Sequence, residues 1–147
     1  MFKSILVPTD GSLRSQRAVK IGATLAKETA GTVTLLHVSP TYKTPYYPDG
    51  VFIDWPNERD YKADCVKSAA KLFAAALKVA EAQGVAAKTL QAFSDSPWEE
   101  ILASAKKAKS DLVVMASHGR RGVQAFILGS ETQKVLSHSK IPVLVVR

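Results

Sequence analysis

Cysteine and long apolar runs are scarce in this chain of 147 residues. Its one cysteine, Cys65, excludes an internal disulfide framework and cannot form a zinc site by itself, which fits a reducing compartment. No segment approaches the roughly 20 apolar residues that a membrane-spanning helix needs. The opening residues MFKSILVPTD contain too few apolar side chains before Pro8 for a signal-peptide core. We therefore expect a cytoplasmic protein with no membrane partner.

Common catalytic and nucleic-acid-binding patterns are also missing. The sequence has no GxxxxGK(S/T) phosphate-binding loop, and Cys65 has no evident histidine partner for nucleophilic catalysis. The formal net charge is +7, but the lysines and arginines are spread along predicted helices and do not form one block interleaved with aromatic residues. We interpret them as solvated helix faces and expect no nucleic-acid partner.

What the chain does contain is an alternation of apolar strands and amphipathic helices. Its composition, 46% hydrophobic and 22% charged, is ordinary for a single globular domain, which we expect to span residues 1–147. Short apolar or β-branched segments predict strands at residues 3–8, 32–38, 85–93, 112–115 and 141–146. Apolar residues at helical spacing predict helices at residues 14–29, 57–83, 130–138 and from residue 96. This order implies a doubly wound, Rossmann-like α/β fold, a five-stranded parallel sheet of strand order 3-2-1-4-5 with helices on both faces.

Local patterns predict how the helices begin and which side chains they bury. Two helix starts have the spacing of a capping box, in which two side chains satisfy free N–H groups: Ser96 with Glu99, and Ser130 with Gln133. The helical repeats place larger apolar side chains on the inward stripe, among them Ile21, Val66 and Leu136.

Residues 39–57 interrupt this alternation with a long connection. The segment contains four prolines, five aromatic residues and an Asp49-Gly50 turn. Structureless connections of this length are uncommon in compact domains and are usually lids or binding loops. The aromatic residues argue against plain disorder. We expect a loop that folds over the site or against a partner; the alternative is that it only covers its own core.

The stretch from Asp111 to Ser130 carries the clearest functional signal. An apolar strand leads into a small basic loop, and Gly129 with Ser130 then starts a helix. A helix N-terminus carries roughly half a positive charge, and glycines let the backbone approach an anion there. The pattern predicts a phosphate site formed by peptide N–H groups around Gly119, Gly129 and Ser130. The alternative is that these glycines serve only turns.

A second segment is expected at the same site. Asp10 follows the first strand directly, at its carboxyl end. Because the first and fourth strands are short and apolar, we expect them to be central neighbours, which would bring Asp10 to the loop from Ala116 to Gly122. His37 lies within the second strand, and we interpret it as a structural histidine with its hydrogen bonds satisfied.

These segments resemble universal stress proteins over nearly the whole chain. The matching residues are ILVPTDGS, LLHV, MASHGRRG, LGSETQKVL and IPVLVV. In that family the nucleotide-binding pattern is glycine, two residues, glycine, nine residues, then glycine with Ser or Thr. Gly119, the spacer of residues 120–128, and Gly129 with Ser130 match, whereas Ala116 occupies the position of the first glycine. The added methyl group is sterically mild if Ala116 keeps a negative φ.

The resemblance implies an ATP cofactor, which could carry Mg or Mn, and roles for individual residues. Asp10 would contact the ribose or a phosphate-bound divalent ion, and Val38 would touch the adenine. The phosphates would be held by Ser117, Gly119, Gly129 and Ser130. Arg120 and Arg121 are added to the predicted site on charge grounds. The remaining predicted binding residues adjoin these: Pro8, Thr9, Ala116, His118, Glu131 and Thr132.

The resemblance also implies a homodimer formed through the last strand, residues 141–147. An all-apolar strand at a sheet edge would independently invite pairing unless another chain covered it. The expected function is therefore an ATP-binding regulatory protein of the stress response with an unidentified protein partner.

Two alternatives remain open. One is a slow Mg-dependent ATPase or nucleotidyl-transfer enzyme using Asp10, and the other is a nucleotide-free dimeric scaffold. No residue is assigned a catalytic role, because activating a water needs a placed base and only Asp10 and His118 lie near the predicted site.

Overall fold

Strands and helices alternate throughout the part of the chain that the computed structural model describes, residues 1–44, 54–119 and 128–147. The strands are β1 (Ser4–Pro8), β2 (Thr32–Ser39), β3 (Ala87–Phe93), β4 (Leu112–Ala116) and β5 (Val143–Val146). The helices are α1 (Leu13–Thr29), α2 (Glu58–Glu81), α3 (Pro97–Lys107) and α4 (Ser130–His138). Within those ranges, no helix is both long enough and apolar enough to span a membrane.

All five strands belong to one parallel sheet with the order β3-β2-β1-β4-β5. The predicted fold class and strand order are confirmed. β1 and β4 are neighbours, with Ile5 opposite Leu112 and Leu6 opposite Val113. Because the chain winds outwards from this pair in both directions, the ends of β1 and β4 meet where the strand order reverses.

Side chains bury both faces of the sheet, as expected for strands that are apolar along their whole length. Successive residues of β1 enter different clusters: Ile5 packs with side chains of α1 and α2, whereas Leu6 packs with side chains of α3 and α4. Helices α1 and α2 therefore cover one face, and α3 and α4 cover the other.

The predicted helix faces are partly wrong. Ile21, Val66 and Leu136 were expected inside, yet they are 37%, 53% and 40% exposed. The buried faces are built from smaller residues, such as Ala69, Ala76 and Ala80 in α2. Alanine gives a weak hydrophobic signal, but its small side chain lets a helix lie close to the sheet.

The two predicted capping boxes are also not formed. Ser96 makes no side-chain cap, and α4 begins with Gly129 as its N-cap and Ser130 already inside the first turn. The first turn of α3 is satisfied from another helix instead, because the N–H of Trp98 donates to the carboxylate of Glu131 at 2.9 Å. Sequence spacing alone could not predict a cap from 33 residues away.

Only the ends of the 39–57 connection lie within the described residues. Thr41 donates to the carboxylate of Asp95 through its N–H and its hydroxyl. Tyr42 packs on Tyr61 of α2 with ring centroids 5.6 Å apart. Residues 45–53 lie outside the described residues, so the expectation that the loop covers the site or a partner stays a prediction.

Candidate functional site

A cleft of about 260 Å³ opens beyond the carboxyl ends of β1, β2 and β4. It lies at the reversal point of the strand order, where doubly wound sheets bind their ligands. Its described lining comes from the ends of these strands and from the starts of α1, α3 and α4. The expected meeting of Asp10 with the loop after β4 is confirmed, because Asp10, Ala116, His118 and Gly119 all line this cleft.

One side of the cleft is apolar. Leu36, Ile101 and Met115 are at least 95% buried and line it, together with Val38 and Pro97. Val38 was predicted in the site, whereas the other four were missed. Leu36 could have been found, since it stands at the carboxyl end of a central strand; Pro97 and Ile101 could not, because they depend on how α3 packs over the sheet.

Asp10 and Gly119 face each other across the polar side. The Asp10 Oδ1 accepts the N–H of Ser12 at 2.9 Å, which fixes the turn between β1 and α1. A Cβ added at Gly119 would lie 3.0 Å from the Asp10 Oδ2. Among the described glycines only Gly11 and Gly84 have positive φ. A side chain at position 119 would therefore crowd the Asp10 carboxylate, whereas the backbone conformation of Gly119 does not call for glycine.

Thr9 connects β1 to β2 and α1 at the base of the cleft. Its N–H donates to the carbonyl of Leu36 at 2.8 Å, and its hydroxyl lies 3.0 Å from the Ser15 hydroxyl. The His37 Nδ1 is 2.9 Å from the Thr9 carbonyl oxygen, which can only accept, so Nδ1 carries the proton. This contact agrees with the structural role predicted for His37, although His37 also lines the cleft.

The first turn of α4 is anchored to the end of β4. The Gly129 N–H donates to the Ser117 carbonyl at 2.8 Å, and the Thr132 hydroxyl donates to the Ala116 carbonyl at 3.0 Å. A protein carbonyl therefore already accepts the Gly129 N–H, and the role of Gly129 in holding phosphates stays a prediction. Glu131 and Thr132 line the cleft, whereas Ser117, Gly129 and Ser130 are not among its described lining residues.

Peptide donors nevertheless remain at the start of this helix. The first hydrogen bond of α4 runs from the Gln133 N–H to the Gly129 carbonyl at 3.0 Å. The N–H groups of residues 130–132 precede that bond and have no acceptor within the helix. The positive end of the α4 dipole is therefore directed at the cleft through Glu131 and Thr132.

Ala116 and His118 occupy defined positions on the cleft wall. Ala116 is the last residue of β4, and its φ is not positive, so the methyl group that replaces the expected glycine causes no backbone strain. The His118 side chain is buried, with 8% of the residue exposed, and its Nδ1 lies 3.1 Å from the Ser117 hydroxyl. Pro8, the end of β1, also lines the cleft. Arg120 and Arg121 lie outside the described residues.

Two carboxylates, from Asp10 and Glu131, are part of the described lining. Within the described ranges, no three His, Cys, Asp or Glu side chains are close enough to hold a metal ion. A divalent cation at Asp10 would need most of its ligands from another molecule, as is usual for Mg²⁺ bound with phosphates.

The sheet and its crevice define an α/β protein of the doubly wound class. The family model described as the universal stress protein family matches residues 1–147, and this chain belongs to that family. The universal stress protein YxiE of Bacillus subtilis is 34% identical over the whole of both chains.

Solved structures have the same fold as this chain. That of MJ0577 from Methanocaldococcus jannaschii has a TM-score of 0.79 and 28% identity, covering 99% of this chain and 96% of the other. A universal stress protein of Archaeoglobus fulgidus, solved in complex with dAMP, shares the fold with a TM-score of 0.72 at 18% identity, over 99% of this chain and 98% of that one.

Proposed function

We propose that this chain binds an adenine nucleotide in the cleft, with ATP as the expected ligand, and acts as a regulatory protein of the stress response. The observation that carries the proposal is the cleft itself, which combines an apolar wall with a helix N-terminus at the reversal point of the sheet. The dAMP complex of the Archaeoglobus fulgidus protein supports the same ligand class for a chain of this fold.

The apolar wall fits the base. Leu36, Ile101 and Met115 offer a dry surface that a flat heterocycle can cover, and Val38 stands at the edge of that surface. Burying the two faces of an adenine ring against such side chains is favourable because it removes apolar area from water. We assign the base to this wall and the adenine contact to Val38.

The opposite end fits the sugar and the phosphates. Asp10 offers a carboxylate that can accept hydrogen bonds from ribose hydroxyls or share a divalent cation with the phosphates. Gly119 and the first turn of α4 offer backbone N–H groups and a positive helix end. Mg or Mn would enter bound to the nucleotide, with Asp10 as its protein ligand, and would offset phosphate charge there.

Nucleotide binding would regulate the protein by changing the surface near the loop after β4 and the edge strand β5. The cleft is bordered by the loop after β4, and β5 pairs along β4 at the sheet edge. A nucleotide that shifts the conformation of this loop can alter a homodimer formed through residues 141–147, which an unidentified protein partner would recognise. We expect the protein to act in the cytoplasm.

Gly119→Ala tests the site directly. The new methyl group meets Asp10 and is not placed against the core, so stability should change little. Calorimetric titration with ATP should show at least about tenfold weaker binding than the wild type, a loss of about 1.4 kcal/mol. The matched control is Ala103→Val, on the exposed face of α3. Equal ATP affinity in both variants and the wild type would reject the site.

Activity and binding assays on the purified protein distinguish the two alternative functions. Because Asp10 and His118 both line the cleft, metal-dependent release of ADP or AMP in single-turnover assays, lost in Asp10→Ala with binding retained, would indicate an enzyme. Purified protein that carries no nucleotide and shows no calorimetric response to ATP would indicate a scaffold without a ligand.

A further inference from the structure

Among the described helices that begin at the cleft, α3 and α4 lie on the same face of the sheet. Pro97 of α3 and Glu131 and Thr132 of α4 all line it, so the positive ends of both helix dipoles lie at its border. An anionic ligand in the cleft could in principle use either helix end.

The start of α3 is already occupied by an anion from the protein. The Glu131 Oε2 accepts the N–H of Trp98 at 2.9 Å, and its Oε1 lies 3.3 Å from the Lys134 Nζ. The Trp98 ring also packs on the His138 ring, with centroids 4.6 Å apart. This is a second contact between α3 and α4. Glu131 is therefore held at the cleft and is not a freely rotating surface carboxylate.

The ion pair with Lys134 offsets the charge of Glu131 only weakly. Lys134 is half-exposed, and exposed ion pairs are strongly screened by solvent. The described lining of the cleft has no lysine or arginine and includes a second carboxylate, that of Asp10; Arg120 and Arg121, which are predicted at the site, lie outside the described residues. Each phosphate group added to a ligand near the α4 start would thus be attracted by the helix end and repelled by the Glu131 carboxylate.

We propose that Glu131 determines which phosphate charge the cleft accepts. It selects against the extra charge of a metal-free triphosphate, so the cleft favours a nucleoside monophosphate or a triphosphate whose charge a divalent cation neutralises. This inference rests on the proposed nucleotide binding and assigns Glu131 a role in specificity that is separate from holding the ligand.

Glu131→Gln isolates the charge, because the glutamine amide oxygen can still accept the Trp98 N–H. Affinities for AMP and ATP are measured by calorimetry in EDTA at low ionic strength. We expect the ratio of ATP to AMP affinity to rise about five- to tenfold in Glu131→Gln. The gain should shrink when Mg²⁺ is present and when salt is raised, which a purely structural role would not produce.

Two further variants provide controls. Glu99→Gln removes the same charge from an exposed position in the first turn of α3, outside the described lining of the cleft, and should leave the ratio unchanged. Lys134→Gln removes the partner of Glu131 and should lower the ratio, by about twofold.

The possible outcomes separate this inference from the proposed function. Equal changes for AMP and ATP in Glu131→Gln, or the same ratio change in Glu99→Gln, would overturn the role of Glu131 while leaving nucleotide binding intact. A wild-type protein that binds neither nucleotide would overturn both.

Discussion

The hydroxyl of Thr132 donates to the carbonyl oxygen of Ala116 at 3.0 Å, and both residues are more than 90% buried. The bond joins the first turn of α4 to the last residue of β4. It therefore sets the distance between the helix end and the strand end that border the cleft.

Replacing Thr132 with valine removes this bond and keeps the shape of the side chain. A buried carbonyl oxygen loses its donor, so we expect the free energy of unfolding to fall by about 1–2 kcal/mol in urea titrations. ATP affinity should fall as well, because α4 is no longer fixed against β4. Thr29→Val is the control, since that hydroxyl bonds within its own helix, to the carbonyls of Leu25 and Ala26. Equal losses of stability in the two variants would contradict this role.

The architecture could be predicted from the sequence because its signals are local and repeated. β1 and β4 are continuous apolar segments, and such strands need cover on both faces, which with the alternating order leaves few topologies. The position of Asp10 beside the loop after β4 followed from that topology alone. The topology did not predict the side of the cleft made by Ile101 and Pro97, because that side depends on the angle at which α3 lies on the sheet.

Hydrogen-bond partners at the site were the least predictable feature. Ser130 with Gln133 has the spacing of a capping box, yet Gly129 is the N-cap and its own N–H is taken by Ser117. The first turn of α3 is capped by Glu131 and not by Ser96. Both are tertiary contacts, and a spacing rule within one helix contains no information about a neighbouring helix.

Asp111 makes the stability of the fold depend on pH. Its burial alone would raise the pKa, but the N–H groups of Lys3 and Ser4 donate to its carboxylate at 2.7 and 3.0 Å and hold the pKa below its usual value. These bonds join the start of β1 to the start of β4. A carboxylate with a lowered folded pKa contributes stability that is fully present above the unfolded pKa, about 3.9, and is lost as the pH falls through the folded value.

Asp111→Asn should therefore be less stable than the wild type at pH 7, by about 1 kcal/mol after allowance for solvent screening. The difference should narrow as the pH falls below about 4, where the wild-type carboxyl becomes protonated. Urea titrations across this range measure it, with Asp64→Asn on the exposed face of α2 as the control. A constant difference between wild type and Asp111→Asn at all pH values would show that the ionised carboxylate is not responsible.

The edge strand β5 provides the test of the proposed homodimer. It is hydrogen-bonded to β4 on one side and stands at the end of the sheet, and Leu144 is 39% exposed in a strand made only of valine and leucine. Pairing of two such edges would cover both copies of Leu144 and join the sheets of two protomers.

Leu144→Asp should convert a micromolar dimer into a monomer. Because the substitution occurs twice in a symmetric interface and each copy forfeits about 1.5 kcal/mol of apolar burial, the dimer should weaken by about 100-fold or more. Light scattering coupled to gel filtration measures the change. Val66→Asp, which charges an exposed apolar position on α2 at the other end of the sheet, should leave the dimer intact. A wild-type protein that is monomeric at these concentrations, or a Leu144→Asp variant that stays dimeric, would exclude an interface formed by β5.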